Sequence, residues 1–202
     1  MISRPAGFTI LELMMVVAVM AILAVIAAPS LGDIVRNARM TSAANDLLTD
    51  LSVARAEAVK RGAATAICTS NNGTSCTASA WNLGWILFAD PDGNGVLADA
   101  PPVCSPQSAC IVKVVPAIDG AASVPPTTIV SAANATNADG ASYVGFRPSG
   151  VVTAGGAGVP ITFTICDKRT VANVGNNAAL LRGRQVNVSN TGRAFVQRWT
   201  CP

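Results

Sequence analysis

From Phe8 to Ala28 nearly every position is apolar, and only Thr9 and Glu12 interrupt the run. A helix over that stretch is about 31 Å long at 1.5 Å per residue, which matches a bilayer hydrocarbon core of about 30 Å. After Pro29 the pattern changes. Leu31, Ile34, Val35 and Ala38, then Ala44, Leu47, Leu48, Leu51, Ala54 and Ala58 recur at three and four, with Arg36, Asn37, Asp46, Asp50, Arg55 and Glu57 between them. That spacing predicts an amphipathic continuation of the helix with its apolar stripe against a sheet. Lys60 and Arg61 put cations at the negative end of the helix dipole, and Gly62 supplies a stop.

From Ala64 onward short runs of β-branched and aromatic residues alternate with Gly, Pro, Asn and Ser. The predicted strands are 64–68, 84–89, 111–115, 143–146, 161–166, 184–188 and 194–199, the last two flanking the turn Asn190-Thr191-Gly192. Between them 101–108 and 117–140, rich in small residues and proline, read as exposed loops. The predicted class is α+β: a long N-terminal transmembrane and amphipathic helix packed on an antiparallel β-sheet domain. The expected segments are a leader at 1–7, a membrane helix at 8–28, its amphipathic continuation at 29–61 and a periplasmic β-rich domain at 62–202.

Cysteine use supports export. All six cysteines, Cys68, Cys76, Cys104, Cys110, Cys166 and Cys201, follow the apolar run, as expected for a domain in an oxidising compartment. Six cysteines allow fifteen connectivities, but the short spacings suggest Cys68 to Cys76 and Cys104 to Cys110, which leaves Cys166 with Cys201. With no histidine and no C-x-x-C spacing, the usual structural zinc sites are not expected. The same lack of histidine excludes Ser-His-Asp and Cys-His catalysis, and the scattered aspartates form no paired-carboxylate motif. No cofactor and no catalytic residue is expected.

Glu12 is the costly residue of the apolar run. An acid at the centre of a membrane helix is unfavourable by about 2.5 to 3.5 kcal/mol, less near an end, so it calls for a partner. The polar leader, with Arg4 and ending in Gly7, precedes the apolar run, so the processing point comes before the apolar stretch and not after it as in a secretory signal peptide. With Gly7, Phe8 next, Glu12 five residues after the glycine, and Pro29 further on, the chain resembles the type IV pilin and pseudopilin superfamily. The resemblance implies cleavage after Gly7 by a prepilin peptidase, N-methylation of Phe8, and a Glu12 neutralised by the Phe8 amine of a neighbouring subunit as a filament assembles. Pro29 stands where these proteins commonly carry a helix-kinking proline.

Further blocks narrow the resemblance. Arg55-Ala56-Glu57-Ala58, Trp81-Asn82-Leu83-Gly84-Trp85 leading to Phe88-Ala89-Asp90, Phe146-Arg147-Pro148-Ser149-Gly150 and Thr191-Gly192-Arg193 occur in the order of the GspH/FimT branch. That branch implies a minor pilin of a type IV pilus, anchored in the inner membrane with a periplasmic domain and partnered by other pilins. The alternatives are a GspH-type pseudopilin of a type II secretion system and a competence pilin that binds DNA.

Two constellations remain. Asp90-Pro91-Asp92-Gly93-Asn94-Gly95 matches the start of a calcium loop, but Pro101 stands at position twelve in place of the bidentate glutamate, so a hairpin turn is the better reading. From Lys168 to Pro202 there are six cations and no acid, and Arg182, Arg184, Arg193 and Arg198 alternate with Phe195 and Trp199. This fits a phosphate-tracking surface with stacking rings, or arginines that guard a strand edge against self-pairing. Some FimT-type pilins bind DNA through a Gly-Arg-x-Arg element. Here Gly192-Arg193-Ala194-Phe195 lacks the second arginine, and Arg182-Gly183-Arg184 is the nearest substitute.

The processing expectation is direct to test. Intact-mass measurement of native protein should give a chain starting at methylated Phe8; one starting at Met1, or cut after Ala28, would exclude pilin-type maturation.

Overall fold

The structure is a computed structural model that describes residues 8–97, 110–118, 127–131, 135–136, 138, 140–153, 160–167 and 182–201. Side chains of residues 25–33, 36, 127–131, 135–136, 167 and 182 lie outside that description. One helix, α1, runs from Ile10 to Arg61 and is helical through Pro29. Gly62 follows at φ 64°, the left-handed conformation that ends helices and that glycine adopts without a Cβ penalty. The chain divides into two compact units, Met1–Ala38 and Arg39–Pro202.

In the first unit the described apolar side chains are solvent-exposed, from Ile10 at 83% to Leu23 at 60%. Among the described residues no helix is long and apolar enough to cross a membrane. Ile34 and Val35, which the periodicity put on the packed stripe, are also exposed.

The second unit is the folded domain. From Met40 onward the helix buries Ala43, Ala44, Leu47, Leu51, Ala54 and Ala58, a stripe rich in alanine that lets strands approach closely. Among the described residues nine strands follow: β1 Thr65–Thr69, β2 Gly84–Ala89, β3 Cys110–Pro116, β4 Thr127–Ser131, β5 Ala135–Thr136, β6 Ser142–Phe146, β7 Ile161–Asp167, β8 Arg182–Val188 and β9 Ala194–Thr200. A 3-10 turn at Trp81–Leu83 leads into β2.

The strands form two antiparallel sheets, one ordered β3-β2-β1-β6-β5 and one ordered β4-β7-β8-β9. Both contribute to one core: Ile67, Trp85, Leu87, Val144 and Phe146 from the first sheet and Ile161, Phe163, Ile165, Val186 and Val188 from the second join the helix stripe. Trp81 lies between them, edge-on to Phe163 at 5.1 Å. The opposite face of the first sheet carries a smaller cluster of Ala66, Cys68, Cys76, Ile86, Phe88 and Ala141. Strands β1 and β2 are thus buried on both faces, which is why they read as unbroken apolar runs.

Several expectations need correction. The stretch 117–140 holds β4 and β5: Thr127 to Val130 are β-branched, but the adjacent Pro125 and Pro126 and the small residues on either side gave the whole stretch the look of a loop. There are two sheets where the helix stripe suggested one. Asp50, placed among the solvent-facing polar positions, is fully buried. Cys110 is a buried free thiol that accepts a hydrogen bond from Arg61 Nη1 at 3.6 Å, so it is not in the expected bond with Cys104, a residue outside the description.

Cys68 is bonded to Cys76, and Cys166 to Cys201. At Asp90 the carboxylate accepts hydrogen bonds from the Asn94 and Gly95 N–H groups at 3.2 and 3.0 Å and so closes a tight turn. Burial pushes the Asp90 carboxyl above its ordinary range, opposed by those N–H donors. Among the described residues no cluster of acids and cysteines has the arrangement of a metal site.

The Cys166–Cys201 bond joins the end of β9 to β7 across a separation of 35 residues. Loop-closure entropy assigns it about 3 to 4 kcal/mol. Cys201→Ser should therefore lower the unfolding free energy in urea by that order, and a loss below about 1 kcal/mol would show that the bond does not hold the last strand.

Candidate functional site

The N-terminal site begins with a helix cap. The Thr9 hydroxyl accepts the Glu12 N–H at 3.2 Å, and the Thr9 carbonyl accepts the Leu13 N–H at 3.2 Å. Thr9-Ile10-Leu11-Glu12 is thus a threonine N-cap with a glutamate at the third helical position, the spacing of a capping box. An acid in the first turn is favoured by the positive end of the helix dipole, which offsets part of the cost of Glu12. Sequence reasoning gave Glu12 a partner in a neighbouring subunit and missed its local role; the T-x-x-E spacing was the signal for the cap. Gly7 lies outside the described residues, as does the side chain of Pro29, while Phe8 is exposed.

Within the folded domain two charged residues of the helix, Asp50 and Arg55, reach across to the β part of the domain. Asp50, one turn from Leu47 and Ala54, points into the core. Its carboxylate accepts from Trp85 Nε1 at 2.9 Å and pairs with Lys113 Nζ at 2.5 Å. Lys113 lies opposite Leu87 in the β2–β3 register, so it shares the helix-facing side of the sheet, and it remains 48% exposed. A lone lysine in the apolar strand Ile111–Val115 and an aspartate in register with an apolar stripe are visible in the sequence, but only as a pair do they make sense.

One turn further on, Arg55 Nε donates to the Gly150 carbonyl at 3.1 Å. Gly150 and Gly192 both have positive φ, at 77° and 76°. A Cβ on Gly192 would collide with the Gly150 carbonyl oxygen and lie 3.0 Å from Arg55 Nε. The Val152 N–H also reaches the Asn190 carbonyl at 3.2 Å. Three separated sequence blocks, Arg55-Ala56-Glu57-Ala58, Phe146 to Gly150 and Thr191-Gly192-Arg193, therefore meet at one junction. At the helix end Arg61 pairs with Glu57 at 2.8 Å, and this hydrogen bond holds the Glu57 carboxyl below its usual range.

The basic tail is not assembled as the nucleic-acid reading requires. Ala194 and Val196 pack against the core, so the intervening Phe195, Gln197 and Trp199 point to the opposite face of the sheet. Arg198 has the core-facing parity and lies opposite Arg184, whose Nη2 donates to Thr41 on the helix at 3.1 Å. Arg193 sits in the β8–β9 turn beside Arg55 and Lys60, and the side chain of Arg182 lies outside the description. The exposed rings and the strand arginines thus occupy opposite sides of the sheet.

A long helix that opens on a capped Phe-Thr-x-x-Glu, exposes its apolar first half and uses its second half as the spine of an antiparallel β domain has the build of a pilin-like protein. Residues 43–192 match the family model described as Type II transport protein GspH, and residues 2–28 match the prokaryotic N-terminal methylation motif. The chain belongs to the GspH family, with the N-terminal methylation motif ahead of it. Among solved structures, the type IV minor pilin FimU of Pseudomonas aeruginosa is similar at 18% identity, over 80% of this chain and 90% of that one, with a TM-score of 0.49. The minor pseudopilin EpsH of the type 2 secretion system of Vibrio cholerae is similar at 11% identity, over 80% and 97%, with a TM-score of 0.41. No curated protein sequence matches the chain.

The junction predicts an outcome for Gly192→Ala. The substitution meets both a positive φ and a neighbouring carbonyl, and should destabilise the domain by about 1 to 3 kcal/mol in urea unfolding, whereas Gly93→Ala, with open space around it, should cost less. Equal losses at the two positions would show that the turn contact contributes nothing.

Proposed function

We propose that the protein is a minor pilin of a type IV pilus, anchored in the inner membrane by the helix from Phe8 to Ala28, with its domain in the periplasm until the subunit enters a filament. The observation that carries this reading is the run of exposed apolar side chains from Ile10 to Leu23 with Glu12 as its single charge. Side chains this apolar need lipid or other apolar helices around them, because leaving each in water forfeits about 1.5 to 3 kcal/mol. Prepilin peptidase cleaves after Gly7 and the Phe8 amine is methylated; a neighbouring subunit's amine then meets Glu12. Pairing of these charges out of water favours one axial register of packed helices over others. Pro29 lies between the apolar half of the helix and the packed half. The role is structural, without catalysis.

A second reading, a pseudopilin of type II secretion, is favoured by the description of the family that the chain matches. It uses the same assembly chemistry and differs in the machine that extracts the subunit. The DNA-capturing alternative lacks support in the domain, because Arg184 and Arg198 do not share a face with Phe195 and Trp199.

Glu12→Gln removes the charge while keeping the size and the apolar surroundings. Membrane fractions should contain normal amounts of the variant, and sheared pili should contain at least about tenfold less, the equivalent of about 1.4 kcal/mol. Wild-type amounts in sheared pili would remove Glu12 from assembly. Incorporation of wild-type protein into secretion pseudopili, with none in pili, would favour the second reading.

A further inference from the structure

We propose that the outer face of the β7–β8–β9 sheet is a binding platform for a neutral glycan. The face is defined by strand alternation. Ile161, Phe163, Ile165, Val186 and Val188 enter the core, so Thr162, Thr164, Gln185, Asn187, Phe195, Gln197 and Trp199 point the other way. Gly183 fixes this assignment at the far end, since a Cβ there would run into Cys201 Sγ and lie 3.2 Å from Cys166 Sγ, so the disulfide lies on this outer face near Trp199.

Two features set the face apart from the rest of the domain. Phe195 and Trp199 stay 44% and 43% exposed, four residues apart on one strand, hence about 13 Å between their Cα atoms at 3.3 Å per residue. Between and beside them runs a ladder of uncharged groups. Gln197 Nε2 donates to Gln185 Oε1, Asn187 Nδ2 donates to the same oxygen at 3.4 Å, and Thr162 Oγ1 donates to Asn187 Oδ1 at 3.0 Å. No residue of this face on the three strands is charged, although the same strands carry Arg184 and Arg198 at the opposite parity.

This chemistry selects its ligand. A pyranose ring presents an apolar C–H face that stacks on an aromatic side chain, and hydroxyls at its rim that both donate and accept. Amide side chains do the same: Gln197 and Asn187, held in place by the buried Gln185 Oε1, can offer their free donors and acceptors to neighbouring hydroxyls. Two rings separated along a strand suit a short run of linked sugars lying across β9. A nucleic acid would need cations beside the rings, and here the strand arginines are turned away. An anionic polymer finds no counter-charge on the face.

The test uses the full chain in detergent micelles and a panel of immobilised neutral oligosaccharides, linked glucose, mannose, galactose and N-acetylglucosamine, with polygalacturonate as the anionic control. At least one neutral oligosaccharide should bind, with little change on raising salt. Trp199→Ala and Phe195→Ala should each weaken that binding by about tenfold, of the size of one aromatic contact. Trp199→Phe should retain most of it, and Arg193→Gln should leave it unchanged. Unfolding midpoints of the variants should stay at the wild-type value, which separates loss of the platform from loss of the fold. Failure of every neutral sugar, salt-sensitive binding to polygalacturonate alone, or self-association that Trp199→Ala abolishes without any sugar binding would each overturn the proposal.

Discussion

A carboxylate buried on a helix constrains the folded domain more than any other single group. Asp50 sits in the apolar stripe of α1, where an unpaired charge would be strongly unfavourable, and it is tolerated because Trp85 and Lys113 both reach it. Its two partners come from β2 and β3 of one sheet, so the contact fixes the rotation of the helix and its position along the sheet at once. Apolar packing alone specifies neither as sharply, since alanine side chains slide past one another at little cost. Once Asp50 is placed, Arg55 lies over the two glycine turns, and the second sheet is tied to the same helix through Gly150. Lys113 keeps half its surface in water, which lowers the desolvation penalty that a fully buried pair would carry.

The two halves of α1 obey opposite rules. In the first, apolar side chains are exposed and the acid sits at the helix start beside a threonine cap; in the second, apolar side chains are buried and an acid is buried with them. The first arrangement demands an apolar surrounding from outside the subunit, and the second supplies its own. The assembly role proposed above, in which the helix leaves a lipid phase to join a bundle of like helices, needs this division. The folded domain is then independent of whichever phase surrounds the first half.

Much of this was legible in the sequence. The helix end at Gly62, the strands from β6 to β9 and both shorter strands β1 and β2 follow from periodicity and punctuation, because each has β-branched or aromatic residues between clear turn formers. β4 and β5 were missed for different reasons: β4, with Thr127, Thr128, Ile129 and Val130, has the strand preference but was absorbed into a loop reading by the prolines and small residues around it, whereas β5, two residues of Ala and Thr, is a strand through pairing with β6. Asp50 was misplaced because a charged residue counts as polar in any pattern, whereas its burial depends on a lysine 63 positions away. The two readings of the basic tail stayed open in the sequence because composition ignores the alternation of a strand. Arg184 and Arg198 differ in parity from Phe195 and Trp199, and parity decides the face.

The contact at Asp50 is tested most directly by a double-mutant cycle of Asp50→Ala and Trp85→Phe, followed by urea unfolding. If the carboxylate and the indole N–H hold the helix to the sheet, the two losses will be non-additive, with a coupling of about 1 to 3 kcal/mol. Additivity within about 0.5 kcal/mol would mean that the indole N–H does not hold the carboxylate in place, and would contradict the account.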